Sequence, residues 1–234
     1  MNHPCCEKKT VSFREALMLK TGGIISIVGA GGKTSLMHFL SRELSKWCGP
    51  VLATTTTKVK VPDPGVFSKI FISSSIETMI REMNKSGPRI VSPHFAASGE
   101  IPDRKKMTGL SPEIIEQLRD KTPYRWIIVE ADGASQKSLK APASHEPVIP
   151  DASKWVVAVA GLDGIGKPLT DEWVFRAALF SRLTDLKMGH DITEKSLAKA
   201  LVHPEGVLKG SPADSRRIVF LNKADDGTGV DTGR

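Results

Sequence analysis

The run Ile24-Ile25-Ser26-Ile27-Val28 passes without a break into Gly29-Ala30-Gly31-Gly32-Lys33-Thr34, and Leu36, Leu40 and Leu44 then recur at helical spacing up to Gly49-Pro50. Strand, glycine turn, lysine, hydroxyl and helix in that order constrain the chain to an α/β fold that presents a loop at the carboxyl end of a strand. Glycines carry no Cβ, so the backbone can approach phosphate oxygens closely. The helix N-terminus then offers N–H groups and a positive dipole end to an anion. This reading assigns Gly29, Ala30, Gly31, Gly32, Lys33, Thr34 and Ser35 to a phosphate-binding loop. Lys33 is expected to be a mobile cation that reaches the β- and γ-phosphates, and whose loss hardly changes the ligand-free fold. The Thr34 hydroxyl is expected to bind Mg2+.

The common form G-x-x-x-x-G-K-[ST] needs a glycine where Ile27 stands. The chain carries the shorter G-x-x-G-K-T, a loop length similar to that of the Mur ligases.

Near the other end, Arg217-Ile218-Val219-Phe220-Leu221 reads as a buried strand that runs into Asn222-Lys223-Ala224-Asp225. N-K-x-D is the pattern by which many P-loop GTPases recognise guanine. The aspartate accepts from the N1–H and 2-amino group, a donor pair that adenine lacks. Asn222 would contact the other edge of the base, and the Lys223 stem would pack over it. The alternative is a polar turn at a strand exit. Nine residues follow Asp225, and they are polar with three glycines. The segment 226–234, like 1–11, is therefore expected to be flexible. The base pocket would then be half-open, completed by a partner subunit or cut short, and the preference for GTP over ATP would fall below its ideal value.

Between these motifs Trp126-Ile127-Ile128-Val129 forms a third apolar run, ended by Glu130-Ala131-Asp132-Gly133. Carboxylates at a strand end beside a phosphate loop are placed to hold Mg2+ or to orient an attacking water. Lys33, Glu130 and Asp132 form the expected catalytic set. Sequence does not rank the two acids, and a solvated strand end is the alternative. Val51-Leu52-Ala53 ends in Thr54-Thr55-Thr56-Thr57-Lys58, hydroxyls suited to metal or γ-phosphate contact, or present only for β-propensity. The expected metal ligands are Thr34, Thr55, Glu130 and Asp132.

The fold class expected is α/β, a three-layer P-loop NTPase-like arrangement with a mostly parallel sheet in one domain over 1–234. Strands are predicted at 24–28, 51–53, 69–72, 89–91, 126–129, 155–160 and 217–221. Helices are predicted at 34–47, 76–84, 112–120, 171–183 and 193–201, with a short leading helix behind a Ser12/Glu15 capping box. Residues 92–110 read as a polar loop that carries Asp103-Arg104-Lys105-Lys106, a cluster for substrate contact or a solvated face.

The formal charge of +7 suits a polyanionic ligand. Basic residues are spread along the chain without an RNA- or DNA-binding motif, so nucleic acid is not the expected partner. No apolar stretch reaches the roughly 20 residues of a membrane span. Arg14, Glu15 and Lys20 interrupt the one apolar segment near the N-terminus, which argues against a signal peptide and for the cytoplasm. The three cysteines would stay reduced there. Cys5-Cys6 suits either an idle polar leader or a soft-metal or chalcogen site.

GAGGKTS, ATTTTK, EADGA, the stretch Leu139 to Pro150 (LKAPASHEPVIP) and NKAD together resemble the YqeC-like proteins, described as accessory factors for selenium-dependent molybdenum hydroxylases. The resemblance covers most of the chain, and EADGA with HEPVIP is its most specific part. It implies a role in maturing a selenium- or molybdenum-containing cofactor, with a client molybdenum hydroxylase as partner. Glu130-x-x-Gly133 with N-K-x-D is also similar to metallochaperone GTPases, whereas the short phosphate loop is similar to ATP-using ligases. His145 and Glu146 sit between prolines in a loop that leaves the acidic strand. They suit a metal, a second substrate or a proline-braced structural loop. Three readings stay open: a GTPase-like maturation factor, an ATP-dependent ligase or kinase, and a nucleotide-gated delivery protein.

Overall fold

Burial on both faces is what writes continuous apolar runs into a strand, and the three longest such runs become the centre of one sheet. A computed structural model of the chain describes residues 12–62, 65–85, 92–101 and 106–224. In chain order its elements are α1 (Phe13–Ala16), β1 (Gly23–Gly29), α2 (Lys33–Trp47), β2 (Val51–Thr55), β3 (Val59–Lys60), β4 (Lys69–Ile72) and α3 (Ile76–Lys85). Next come β5 (His94–Ala97), β6 (Gly99–Ile101), β7 (Lys106–Thr108), α4 (Pro112–Lys121), β8 (Trp126–Glu130), β9 (Leu139–Lys140) and β10 (Ser153–Gly161). The last are β11 (Val174–Phe175), α5 (Ala177–Thr184), α6 (Glu194–Val202) and β12 (Arg216–Asn222).

Seven strands form the main sheet in the order β12-β10-β1-β8-β2-β5-β4, and every pairing within it is parallel. Alternate residues of each strand face opposite sides. Ile24, Val28, Ile127, Val129, Val156 and Ala158 pack with Met79 and Met83 of α3, Ile115 and Leu118 of α4, Phe180 of α5 and Leu197 of α6. Ile25, Ile27, Ile128, Val157 and Val159 pack with Leu36, Met37, Leu40 and Leu44 of α2. Helix, sheet and helix make the three layers expected of the sequence. The capping box on α1 forms as predicted, with Ser12 Oγ accepting from the Glu15 N–H.

Three predictions need correction. The run 217–221, read as a buried strand, forms β12 at the edge of the main sheet, where Val219 is exposed and Ile218, Phe220 and Leu221 are only partly covered because no strand lies beyond them among the described residues. Residues 92–110 are not a plain loop: β5 is fully buried and lies between β2 and β4 in the main sheet. β6 and β7 join β3 in a small antiparallel sheet of three strands. The helix predicted over 171–183 starts only at Ala177, because residues 174–175 pair as β11 with β9. Asp171 Oδ1 then accepts the Ala177 N–H at 3.0 Å, so the acidic residue predicted inside the helix stands before it as a cap. The predicted strand at 89–91, Cys5-Cys6, Asp103 to Lys105, Asp225 and the segments 1–11 and 226–234 lie outside the described residues.

Candidate functional site

Because β1 lies between β8 and β10, the loop that leaves it meets the ends of both neighbours. Its glycines are demanded by the fold itself, a reason the sequence does not give. Gly31 has φ +83, and a Cβ there would sit 2.4 Å from Gly161 N at the end of β10. Gly32 has φ +124 and would meet Asn222 Nδ2 at 2.3 Å. The loop is thus pressed between strand ends, and a Cβ at Gly31 or Gly32 would be both crowded and strained. Gly32 is the N-cap of α2 and supplies no side-chain cap, which leaves the first turn open to an external acceptor. Ala30 is buried with its N–H bonded to Val159 O, while Thr34 and Ser35 are exposed.

Lys33 is not a free cation. It is 4 % exposed, donates to Gly29 O at 2.6 Å, and lies 3.1 Å from Asp132 Oδ1 and 3.8 Å from Glu130 Oε1. The expectation of a lysine whose removal leaves the ligand-free fold unchanged is therefore corrected. Truncation here takes a buried partner from a buried carboxylate, which destabilises.

Glu130 ends β8, in register with Ile27 on one side and Thr55 on the other. Its Oε2 accepts the Thr34 hydroxyl at 2.9 Å. Burial pushes the Glu130 carboxyl above its ordinary range, and Lys33 and the Thr34 bond pull it part of the way back. Asp132 is fully buried. Its Oδ2 accepts the Gly29 N–H at 3.0 Å and Lys140 Nζ at 2.8 Å. The structure thus brings Lys33, Thr34, Glu130 and Asp132 together on the loop.

Thr55 stands at the same edge, but its hydroxyl donates to the Glu130 backbone carbonyl at 2.8 Å and accepts the Thr57 N–H at 3.0 Å. Thr54 and Thr56 likewise donate to the carbonyls of Ala96 and Val148. Most of the threonine run is engaged with backbone.

At the end of β12, Asn222 Nδ2 donates to Gly31 O at 2.8 Å, which ties the glycine loop from the opposite side to Asp132. Lys223, at φ +61, donates to Asp163 Oδ2 at 2.8 Å and to Ser138 Oγ at 2.9 Å. Asp163 carried no sequence signal, since it follows β10 as an isolated acid in a glycine-rich turn.

The loop 140–150 also reads differently in three dimensions. His145 is exposed, but Glu146 is buried and accepts from Lys140 at 2.9 Å and from Arg176 at 2.5 and 3.1 Å. Burial alone would raise the Glu146 carboxyl, yet the Arg176 and Lys140 bonds overcome it and hold the group down at about 2. A carboxylate so engaged is a structural keystone, and His145 does not join it. Among the described residues no three histidine, cysteine or acidic side chains gather as a metal cluster. No described helix is long and apolar enough to cross a membrane.

The three layers around a parallel sheet define an α/β, P-loop-like domain, with the glycine loop and the two carboxylates at one edge of its sheet. The YqeC protein family matches residues 25–178, a span that contains Lys33, Glu130, Asp132, Lys140, Glu146 and Arg176. The chain belongs to the YqeC family. It is 33 % identical over 223 residues to the uncharacterized protein YqeC of Escherichia coli (strain K12), an overlap that covers 92 % of this chain and 83 % of that protein. No solved structure matches the chain.

Proposed function

We propose that this YqeC-family chain binds a Mg2+-nucleoside triphosphate at the carboxyl ends of β1 and β8 and hydrolyses it. On this reading it works in the cytoplasm, in the maturation of a selenium- or molybdenum-containing cofactor or enzyme. The observation that carries the reading is the convergence of Lys33 and Thr34 on Glu130 and Asp132, residues about a hundred positions away in sequence. Thr34 Oγ1 and the Glu130 carboxylate are hard oxygen donors 2.9 Å apart, a donor set that fits Mg2+. When bound, the ion neutralises phosphate charge. Lys33 turns from Asp132 to the phosphate oxygens, the open first turn of α2 receives them, and Asp132 Oδ1 accepts a hydrogen bond from the attacking water.

GTP is the first choice of base, because Asn222, Lys223 and Asp225 spell N-K-x-D. ATP stands as the second reading, with a ligase or kinase reaction on a small substrate. The ties of Asn222 to Gly31 and of Lys223 to Asp163 favour it, because they leave base selection to Asp225. Family resemblance supports a client molybdenum hydroxylase as partner. Turnover stimulated by that client would mark a nucleotide-gated delivery protein, and full turnover with a small molecule would mark a ligase or kinase.

Titration of the protein with GTP and with ATP, each with Mg2+, tests the reading. Saturable binding of at least one is expected. Binding of neither would remove it.

A further inference from the structure

The two oxygens of Asp132 have unequal surroundings. Oδ2 is committed to the Gly29 N–H and to Lys140. Oδ1 is buried and accepts no hydrogen bond among the described residues, and Lys33 Nζ lies 3.1 Å from it. A carboxylate oxygen at this depth, with no hydrogen bond among the described residues, depends on the Lys33 ammonium beside it or on whatever takes that place.

Lys140 is the other cation on Asp132. Its side chain is fully buried, and its three ammonium protons have three acceptors: Asp132 Oδ2 at 2.8 Å, Gly133 O at 2.7 Å and Glu146 Oε2 at 2.9 Å. No donor is left over for a ligand. The parallel pairing of β9 with β11 sets Lys140 opposite Phe175. Arg176 follows at once in a left-handed conformation, φ +64, stacks on Phe175 at 4.4 Å and grips Glu146. Lys33, Lys140 and Arg176 thus meet Glu130, Asp132 and Glu146, three cations against three carboxylates.

We infer that Lys140 is a positioning residue, which holds Asp132 through Oδ2 and stays as its counter-ion when Lys33 leaves Oδ1 for a triphosphate. The inference rests on the reading of this loop as a triphosphate site. Without Lys140, departure of Lys33 would strand a buried carboxylate, so Lys33 would stay where it is and the triphosphate would lose its cation. Glu146 and Arg176 hold Lys140 in place, which gives the loop 140–150 a task that no local pattern discloses.

A double-mutant cycle on Lys140 and Asp132 tests this, with the affinity for the non-hydrolysable triphosphates guanylyl and adenylyl imidodiphosphate, each with Mg2+, as readout. Lys140→Met should weaken binding at least ~10-fold in the intact background, yet by less than ~2-fold when Asp132→Asn is already present. A purely structural lysine would give equal losses in both backgrounds and overturn the inference. If Lys140→Met alone does not fold, the Asp132→Asn protein and its Lys140→Met double variant decide it. Equal affinities support the inference, and a double variant ~10-fold weaker overturns it. Failure of the intact protein to bind either nucleotide would overturn the triphosphate reading together with the inference. Binding that Lys33→Ala weakens and Lys140→Met leaves intact would overturn the inference alone.

Discussion

The carboxyl ends of β8 and β12 both border the glycine loop, yet they use their polar side chains in opposite ways. At β8, Glu130 holds the hydroxyl of Thr34, an exposed residue, and one oxygen of Asp132 accepts no hydrogen bond among the described residues and faces Lys33 at 3.1 Å. At β12, Asn222 and Lys223 are bound to Gly31, Ser138 and Asp163. On the proposed reading, the first end offers contacts that can be exchanged for a ligand beside the tie of Asp132 Oδ2 to Gly29, and the second only braces the loop. The contrast suggests that motif letters alone do not say which residues face a ligand; the partners they already have do.

The largest effect expected is at β8. Glu130→Gln and Asp132→Asn should each slow triphosphate hydrolysis by about 10²-fold or more, with much smaller changes in nucleoside diphosphate affinity. Steady-state turnover beside diphosphate titration checks this. Normal hydrolysis in both variants would make that strand end structural and erase the contrast.

At β12 a smaller effect is expected. Asn222→Ala removes one hydrogen bond to the loop, worth about 1 kcal/mol, so affinity should fall about fivefold and equally for GTP and ATP. A loss confined to GTP would mean that Asn222 reads the base, which would move β12 to the exchangeable side. Asp225→Ala should reduce whatever preference for GTP exists. Competition between the two nucleotides measures both.

A separate effect concerns stability. Glu146 is held at about 2 against an ordinary 4.5. A carboxyl depressed by folding stabilises the native state fully above its unfolded value and loses that contribution as pH falls through its folded value. The gap in melting temperature between the intact protein and Glu146→Gln should therefore be widest near neutral pH and shrink between pH 4.5 and about 2. A gap that does not change over that range would show that the Lys140 and Arg176 contacts do not stabilise the ionised form.

Strands β1, β8 and β10 were legible in the sequence because each is buried on both sides and so written in continuous apolar residues. β5 was not. His94-Phe95-Ala96-Ala97 is short, starts with a polar residue and sits among prolines and serines, so its burial comes from its neighbours rather than its own pattern. The start of α5 was misread because β11 takes Val174 and Phe175 through pairing with Leu139 and Lys140, a contact between distant segments. In the site, Lys33, Thr34, Glu130 and Asp132 were legible because each sits at the end of a strand or the start of a helix that local pattern reveals. Lys140, Glu146 and Arg176 were not legible as a unit. Arg176 is 30 residues from Glu146, and only the path of two loops and a two-residue ribbon joins them.

The most direct test of the account is triphosphate affinity in Lys33→Ala, measured by calorimetry with Mg2+ after circular dichroism shows that the variant is folded. Charge-assisted contacts of this kind are worth roughly 1.5–3 kcal/mol, so affinity should fall about ten- to hundredfold, with some loss of ligand-free stability because Lys33 also balances Asp132. A folded Lys33→Ala protein that binds triphosphate as tightly as the intact one would contradict the account.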